Sequence, residues 1–126
     1  MKQRKFITFL MVLLLCVSAS SIYAQEAVIN IQYVGHHGTH SEYYPPADMP
    51  EVYFNSADQE IILIADGFSS YYNVEITLTT SYIPLISTQV DGYGDTIDVS
   101  SLPDGYYVIV ITSEYNNVYQ GYFNNY

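Results

Sequence analysis

The chain has 126 residues, of which 13 are acidic and 3 are basic, with 49% hydrophobic residues, a single cysteine and no tryptophan. This length supports one domain. The excess of carboxylates opposes binding to nucleic acids and to anionic membrane surfaces, because both carry charge of the same sign. The composition therefore predicts a single domain with no nucleic-acid partner.

The first 24 residues have the parts of a signal peptide. All three basic residues lie near its start, and residues 6–17 form an apolar run that is too short to span a bilayer comfortably. Ala24 supplies a small residue at the expected cleavage position. We therefore expect residues 1–24 to be removed and residues 25–126 to be exported to the periplasm, the cell surface or the medium.

Cleavage changes the chemistry that is open to the mature chain. It leaves 13 carboxylates and no Lys or Arg, and it removes Cys16. Disulfides, thiolate nucleophiles and Lys or Arg salt bridges are then impossible, so the fold must depend on apolar burial and sheet hydrogen bonds. No later apolar run approaches the roughly 20 residues of a membrane helix, so we expect no membrane span in the mature chain.

The mature sequence reads as short strands separated by turns, with no helix. The strands are rich in β-branched and aromatic residues, and the segments between them contain Asp-Gly, Pro-Asp-Gly and Asn-Asn. About seven strands at this spacing predict an all-β fold, an antiparallel β-sandwich. The predicted strands are residues 27–34, 60–65, 72–80, 85–90, 96–99, 106–112 and 118–123, with a weaker edge strand at 52–54.

Alternation along two of these strands predicts which side chains face the core. Val74 and Ile76 are separated by Glu75, so the two apolar residues point inward and the acid points to water. In the adjacent pair of tyrosines, Tyr107 is expected to enter the core and Tyr106 to point outward. The strand that contains these two tyrosines is apolar on both faces as far as Ile111, as expected of a central strand.

One stretch of the chain resembles a known family. Leu102-x-x-Gly105-x-Tyr107, followed by alternating isoleucines, and a closing Gly121-x-Phe123 are similar to a family of short secreted proteins of unknown function from anaerobic Gram-negative gut bacteria. The resemblance implies an immunoglobulin-like β-sandwich and an exported location, and it implies no activity. The same stretch is also similar to the C-terminal sorting domain of a Gram-negative secretion system.

Two segments contain residue types that bind metals. His36, His37 and His40 offer imidazoles for Zn²⁺ or Cu²⁺, and a solvated loop is the alternative. Asp91, Asp95 and Asp98 offer oxygens for Ca²⁺ around two glycines, although the spacing is not that of an EF-hand. A glycine-rich hairpin with solvated acids explains the second segment without an ion, so the sequence predicts no cofactor and leaves calcium as an alternative.

Tyrosine is the third feature, with 15 in the whole chain. Tyrosines that point outward form flat amphipathic surfaces suited to sugar rings or to a protein partner. Cross-strand pairing that only stabilises the sheet is the alternative explanation. The candidates for a binding surface are Tyr43, Tyr71, Tyr106 and Tyr122.

Enzymatic motifs are missing from the sequence. Residues 25–126 contain no nucleophile elbow, no phosphate-binding glycine loop and no Lys or Arg to stabilise an anion. We therefore expect a non-catalytic exported module for recognition of, or adhesion to, a glycan or protein. The alternatives are an assembly component that pairs with a partner by strand addition, and an ion-binding envelope protein.

Overall fold

The computed structural model describes residues 26–36 and 47–126, and in these ranges the protein is built from strands and turns alone. None of the described segments is a helix long and apolar enough to cross a membrane. The predicted signal peptide, residues 1–24, lies outside the described residues. The nine strands are β1 (Glu26–Ile29), β2 (Gln32–His36), β3 (Glu51–Asn55), β4 (Glu60–Ile64), β5 (Tyr71–Leu78), β6 (Ile86–Asp91), β7 (Gly94–Asp98), β8 (Gly105–Ser113) and β9 (Asn117–Asn125).

The strands form two antiparallel sheets that enclose one hydrophobic core. Sheet A has four strands in the order β1-β3-β4-β7, and sheet B has five in the order β2-β9-β8-β5-β6. This confirms the predicted all-β sandwich. Strands β3 to β9 alone give a three-on-four sandwich of seven strands, and the N-terminal segment adds one strand to each sheet.

The N-terminal segment differs from its prediction. Residues 27–34 were expected to form a single strand, but the chain leaves sheet A after Ile29 and enters sheet B at Gln32. The segment therefore crosses the open side of the sandwich, and Ile29 is buried between the sheets. A Cβ on Gly121 would lie 2.8 Å from the Ile29 side chain, so this glycine allows the crossing.

Strand β3 also differs from its prediction as a weak edge strand. It pairs with β1 on one side and with β4 on the other, and its Val52 and Phe54 side chains are buried. The alternation predicted for β5 is confirmed, because Val74 and Ile76 are fully buried while Glu75 is exposed. The sequence marked these inward positions because side chains alternate between faces with a period of two.

The glycine-rich turn after β6 connects the two sheets. The sequence suggested a hairpin here, but β6 lies in sheet B and β7 lies in sheet A. Gly94 has a φ of +106°, and a Cβ on it would lie 2.0 Å from the backbone oxygen of Leu63. Only glycine fits so close to the neighbouring strand, which explains why a glycine occupies the point where the chain enters sheet A.

Tyr107 closes the corner before β8. Its ring is fully buried, as predicted, and its hydroxyl donates a hydrogen bond to the backbone oxygen of Pro103 at 2.5 Å. Asn125 donates to the same oxygen at 3.4 Å and to the backbone oxygen of Leu102 at 3.2 Å. This arrangement is the tyrosine corner of immunoglobulin-like sandwiches. It gives a physical role to the Leu-x-x-Gly-x-Tyr pattern in the sequence.

Candidate functional site

The outer face of sheet B carries little charge. On the strands of this sheet that the structure describes, the outward side chains are mostly amides, hydroxyls, tyrosines and valines. Glu75 is the one acid in the interior of the face, and Asp91 lies at the end of β6. One row crosses all five strands, consisting of Gln32, Gln120, Val110, Glu75 and Ser87.

Two tyrosines stack on this face. The rings of Tyr106 and Tyr122 lie 5.6 Å apart between centroids, at 23° to each other. They are diagonal neighbours on β8 and β9, at a spacing within reach of aromatic side chains. The side-chain amide of Gln120 donates to the Tyr122 hydroxyl at 2.7 Å, which helps to hold that ring in place. Both rings remain more than 40% exposed, so they offer apolar surface to a ligand.

The other two candidate tyrosines do not join this pair. Tyr71 is at the opposite end of sheet B, where it pairs with Asp91 on β6. Since Leu78 lies opposite Tyr107, the distance from Tyr106 to Tyr71 along the strands is about 25 Å, at ~3.3 Å per residue. Tyr43 lies outside the described residues. The structure therefore groups Tyr106 with Tyr122 and separates them from Tyr71.

Shallow depressions flank the centre of the face. One, of about 550 Å³, lies over β5, β6 and β8 and is lined by Asn73, Glu75 and Gln89, among others. A second, of about 360 Å³, lies beside Tyr122 and is lined also by Gln32 and Gln120. Both present amide groups, which donate and accept hydrogen bonds in the same side chain. A ligand rich in hydroxyl groups would find partners at both positions.

Sheet A presents a different outer face. Its described strands place four acids outward, and Glu60 pairs directly with Asp98 on the neighbouring strand. Val28 and Ile64 are exposed between these acids. Like charges directly opposite each other repel, and no Lys or Arg exists in residues 25–126 to offset them. The outer face of sheet A is therefore more acidic than the face that carries the tyrosine pair.

The three aspartates proposed as calcium ligands are each held by nearby backbone. Asp91 accepts from the Tyr93 amide at 2.9 Å, Asp95 from the Thr96 amide at 2.8 Å, and Asp98 from the Ser100 amide at 2.9 Å. The hydrogen bonds from Ser100 lower the pKa of Asp98. Asp95 and Asp98 lie on opposite faces of β7. Across residues 26–36 and 47–126, no three metal-ligating side chains converge.

The proposed histidine cluster falls largely outside the described residues. His36 is the last residue of β2 and pairs with Asn117 of β9. His37 and His40 are not among the residues that the structure describes. The imidazole site therefore stays a prediction.

The sequence did not reveal a buried polar cluster around Asp48. This residue is 4% exposed, and its carboxylate accepts hydrogen bonds from the Tyr119 hydroxyl and from the Asn117 side-chain amide, the latter at 3.3 and 3.4 Å. Its backbone oxygen accepts from the Tyr72 hydroxyl at 2.6 Å. These contacts fix the segment that enters β3 against sheet B. The only sequence signal was a single Asp close to three prolines.

Burial perturbs both tyrosines of this cluster. Desolvation, together with the nearby Asp48 charge, raises the pKa of Tyr72 to about 12. Burial also raises the pKa of Tyr119, and its hydrogen bond to Asp48 adds to the effect because it stabilises the neutral phenol. All buried side-chain nitrogen and oxygen atoms in the described ranges have a hydrogen-bond partner. The cluster is thus complete, and it opens onto neither depression of sheet B.

No protein-family model and no curated protein matches this sequence. Among solved structures, the chain is similar to a DUF3244 family protein from Bacteroides vulgatus, which has an immunoglobulin-like β-sandwich fold. The match has a TM-score of 0.61 and 13% sequence identity, and it covers 80% of this chain and 99% of the other. The protein therefore has an immunoglobulin-like β-sandwich fold.

This similarity confirms the resemblance predicted from the sequence. The related structure belongs to a family defined as a domain of unknown function, so it supports the fold alone. Any binding or catalytic role has to be argued from the surface of this chain.

Proposed function

We propose that the protein is an exported, non-catalytic recognition module that binds a neutral glycan on the outer face of sheet B. The observation that carries this proposal is the Tyr106–Tyr122 stack, which lies in a nearly uncharged face of a strongly acidic protein. Tyrosine rings offer apolar faces to the C–H groups of sugars, and their hydroxyls remain available for hydrogen bonds. The predicted signal peptide supports an exported location.

The arrangement of polar groups favours a glycan over a protein partner. The two depressions are shallow and lined by amides, so neither of them resembles the apolar pocket that holds an aromatic anchor from a protein. A neutral ligand fits better than an anionic one, because the 13 carboxylates repel anions. Catalysis is not part of the proposal, since the face contains one central carboxylate, Glu75, whereas most glycosidases use two.

The test is a glycan array probed with residues 25–126, run with calcium and again with a chelator. We expect saturable binding to neutral glycans in both conditions. Replacing both Tyr106 and Tyr122 by Ala should reduce affinity by at least about tenfold, because two stacking surfaces are removed. Tyr53→Ala is the matched control, since Tyr53 is an outward tyrosine on sheet A.

Three results would contradict the proposal. These are no glycan binding by folded protein, equal loss of binding in the Tyr53 control, and binding that disappears with the chelator. The last result would assign the site to a bound cation and direct attention to Asp91, Asp95 and Asp98. Capture of a protein instead of a glycan would show that the module recognises a protein partner.

A further inference from the structure

The β6 edge of sheet B carries a further inference. The opposite edge of this sheet is β2, which differs from β6 because its register with β9 shifts between Tyr33 and Gly35. Strand β6 pairs with β5 on one side, and no strand within the described residues pairs with its other side. Natural proteins usually protect such an edge with charges, prolines or bulges, because its unpaired backbone groups are a template for another strand. From Ile86 to Val90 the edge has no charge, no proline and no break in register with β5.

The edge of the other sheet on the same side is protected. Strand β7 is the outer strand of sheet A, and it carries Asp95 and Asp98, both exposed. No charged residue lies between Glu75 and Asp91, a segment that includes the whole approach to β6. The two edges differ, therefore, in charge, which is one of the features that oppose strand addition, and the one proline near β6, Pro84, lies before the strand begins.

The hydrogen-bond pattern shows which backbone groups of β6 are free. The Gly92 amide donates to the Ser70 carbonyl at 3.0 Å, in the same register that pairs Val90 with Tyr72 and Thr88 with Val74. Because bonded pairs alternate along an antiparallel ladder, the amides and carbonyls of Ser87 and Gln89 point away from β5. They face the free side of the sheet.

We propose that β6 pairs antiparallel with β6 of a second copy of this chain, around a two-fold axis at Thr88. In this register the amide and carbonyl of Ser87 in one copy form hydrogen bonds with the carbonyl and amide of Gln89 in the other. The two-fold axis generates a second, equivalent pair of hydrogen bonds between Gln89 of the first copy and Ser87 of the second. The two Thr88 residues then form a non-hydrogen-bonded pair with their side chains in contact. The sequence of β6 is self-complementary in this register, since Ile86 lies beside Val90 of the second copy.

Charge opposes a second copy across the outer face of sheet A, but it does not oppose one at the β6 edge. The outer face of sheet A carries four acids, which would repel those of a second copy. In the Thr88-centred register Asp91 lies near Leu85 of the second copy, whose amide donates within its own sheet to the Ile76 carbonyl at 2.9 Å. Glu75 lies in a row with Ser87 and the opposing Gln89. No acid faces an acid across the junction, and Leu85, which is 49% exposed, gains a neighbour.

The dimer has one ten-stranded sheet with both tyrosine pairs on the same side. This inference does not depend on glycan binding, because it rests on the edge and not on the face. A strand-edge interface is smaller than the roughly 1,600 Å² of a standard complex, so we expect weak association that increases with protein concentration.

Cysteine cross-linking tests the register directly, because residues 25–126 contain no cysteine. A non-hydrogen-bonded antiparallel pair places its Cα atoms about 4.5 Å apart, which a disulfide can bridge. We expect Thr88→Cys to form a covalent dimer under mild oxidation at least about tenfold faster than Thr96→Cys. Thr96 is a suitable control since it is an exposed threonine on β7, the acid-bearing edge.

Sedimentation velocity over a range of concentrations supplies the second measurement. Thr88→Glu should weaken dimerisation by at least about tenfold, because it places two carboxylates in contact at the axis. Thr96→Glu adds the same charge and should leave dimerisation unchanged. The proposal is overturned if the unmodified protein stays monomeric at all concentrations, if the two cysteine variants cross-link at equal rates, or if both glutamate variants act alike.

Discussion

The two ends of the sandwich are each closed by a buried tyrosine hydroxyl, but the acceptors differ. At the end before β8, Tyr107 donates to a backbone oxygen only four residues away, and Asn125 shares that oxygen. At the other end, Tyr119 donates to the carboxylate of Asp48, which is 71 residues distant. The first end, the corner, is local and neutral. The second, the Asp48 cluster, joins distant parts of the chain through one charge.

This difference predicts unequal consequences when each end is perturbed. A hydrogen bond to a charged acceptor contributes roughly twice as much as a neutral one, and a buried donor left without its acceptor is costly. The corner keeps an alternative donor for its acceptor, whereas the donors of the cluster depend on Asp48. The three predictions below run from the largest expected effect to the smallest.

Removing the carboxylate should have the largest effect. We expect Asp48→Ala to lower the free energy of unfolding by about 3 kcal/mol, because the Tyr119 hydroxyl and the Asn117 amide lose a buried acceptor. Urea denaturation at pH 7 measures this. Asp48→Asn should recover at least half of the loss, since it keeps an oxygen acceptor. Asp104→Ala, at an exposed aspartate near the corner, is the control and should stay within about 0.5 kcal/mol of the unmodified protein.

The same substitution at each end compares them directly. Tyr119→Phe should cost about 2 kcal/mol of unfolding free energy and Tyr107→Phe about 1 kcal/mol, because the first bond is charge-assisted. In the second variant the Pro103 oxygen keeps the Asn125 amide as a donor. Denaturation of both variants under one set of conditions is the measurement. Equal losses would show that the charge of Asp48 adds nothing to the Tyr119 bond.

Alkaline pH should also distinguish the Asp48 cluster from the corner, through a smaller change in the free energy of unfolding. The pKa of Tyr72 is raised to about 12 in the folded protein, so the fold favours the neutral phenol. Its contribution is fully present below the unfolded pKa of about 10 and is lost as the pH rises from there towards 12. Stability should fall by up to about 1.4 kcal/mol per pH unit for this group.

Denaturation at pH 8 and pH 11 measures that slope. Tyr72→Phe should reduce the pH dependence, and Tyr107→Phe should reduce it less. Burial also raises the pKa of Tyr107, where Asp104 is the one nearby charge that adds to the effect, whereas Asp48 and Asp66 both add to the effect of burial at Tyr72. If the stability of Tyr72→Phe falls more steeply with pH than that of the unmodified protein, the loss of stability at alkaline pH is not due to the raised pKa of Tyr72.

Much of the fold was predictable from local pattern. The alternation in β5 identified its buried face, and the paired tyrosines of β8 were assigned correctly to the core and to the outside. The division of the N-terminal segment was not predictable, because Ile29 and Tyr33 both suit a strand and nothing between them marks a change of sheet. The close passage of that segment over Gly121 becomes visible only when the strands are assembled.

The candidate site, too, was predictable only in part. The sequence indicated that Tyr106 points outward, but it could not indicate that Tyr122 stacks on it while Tyr71 lies at the far end of the sheet. That outcome depends on the register between β8 and β9, which is a property of the pair and not of either strand.

The sequence alone determined the acidity of the mature chain, the lack of cysteine, the period-two alternation and the turns. Each is a property of single residues or of near neighbours, so no partner strand is needed to read it. The tertiary structure decided the Asp48 cluster, the tyrosine pair and the unprotected β6 edge. These depend on which strands become neighbours, and that choice is made by burial of the whole core.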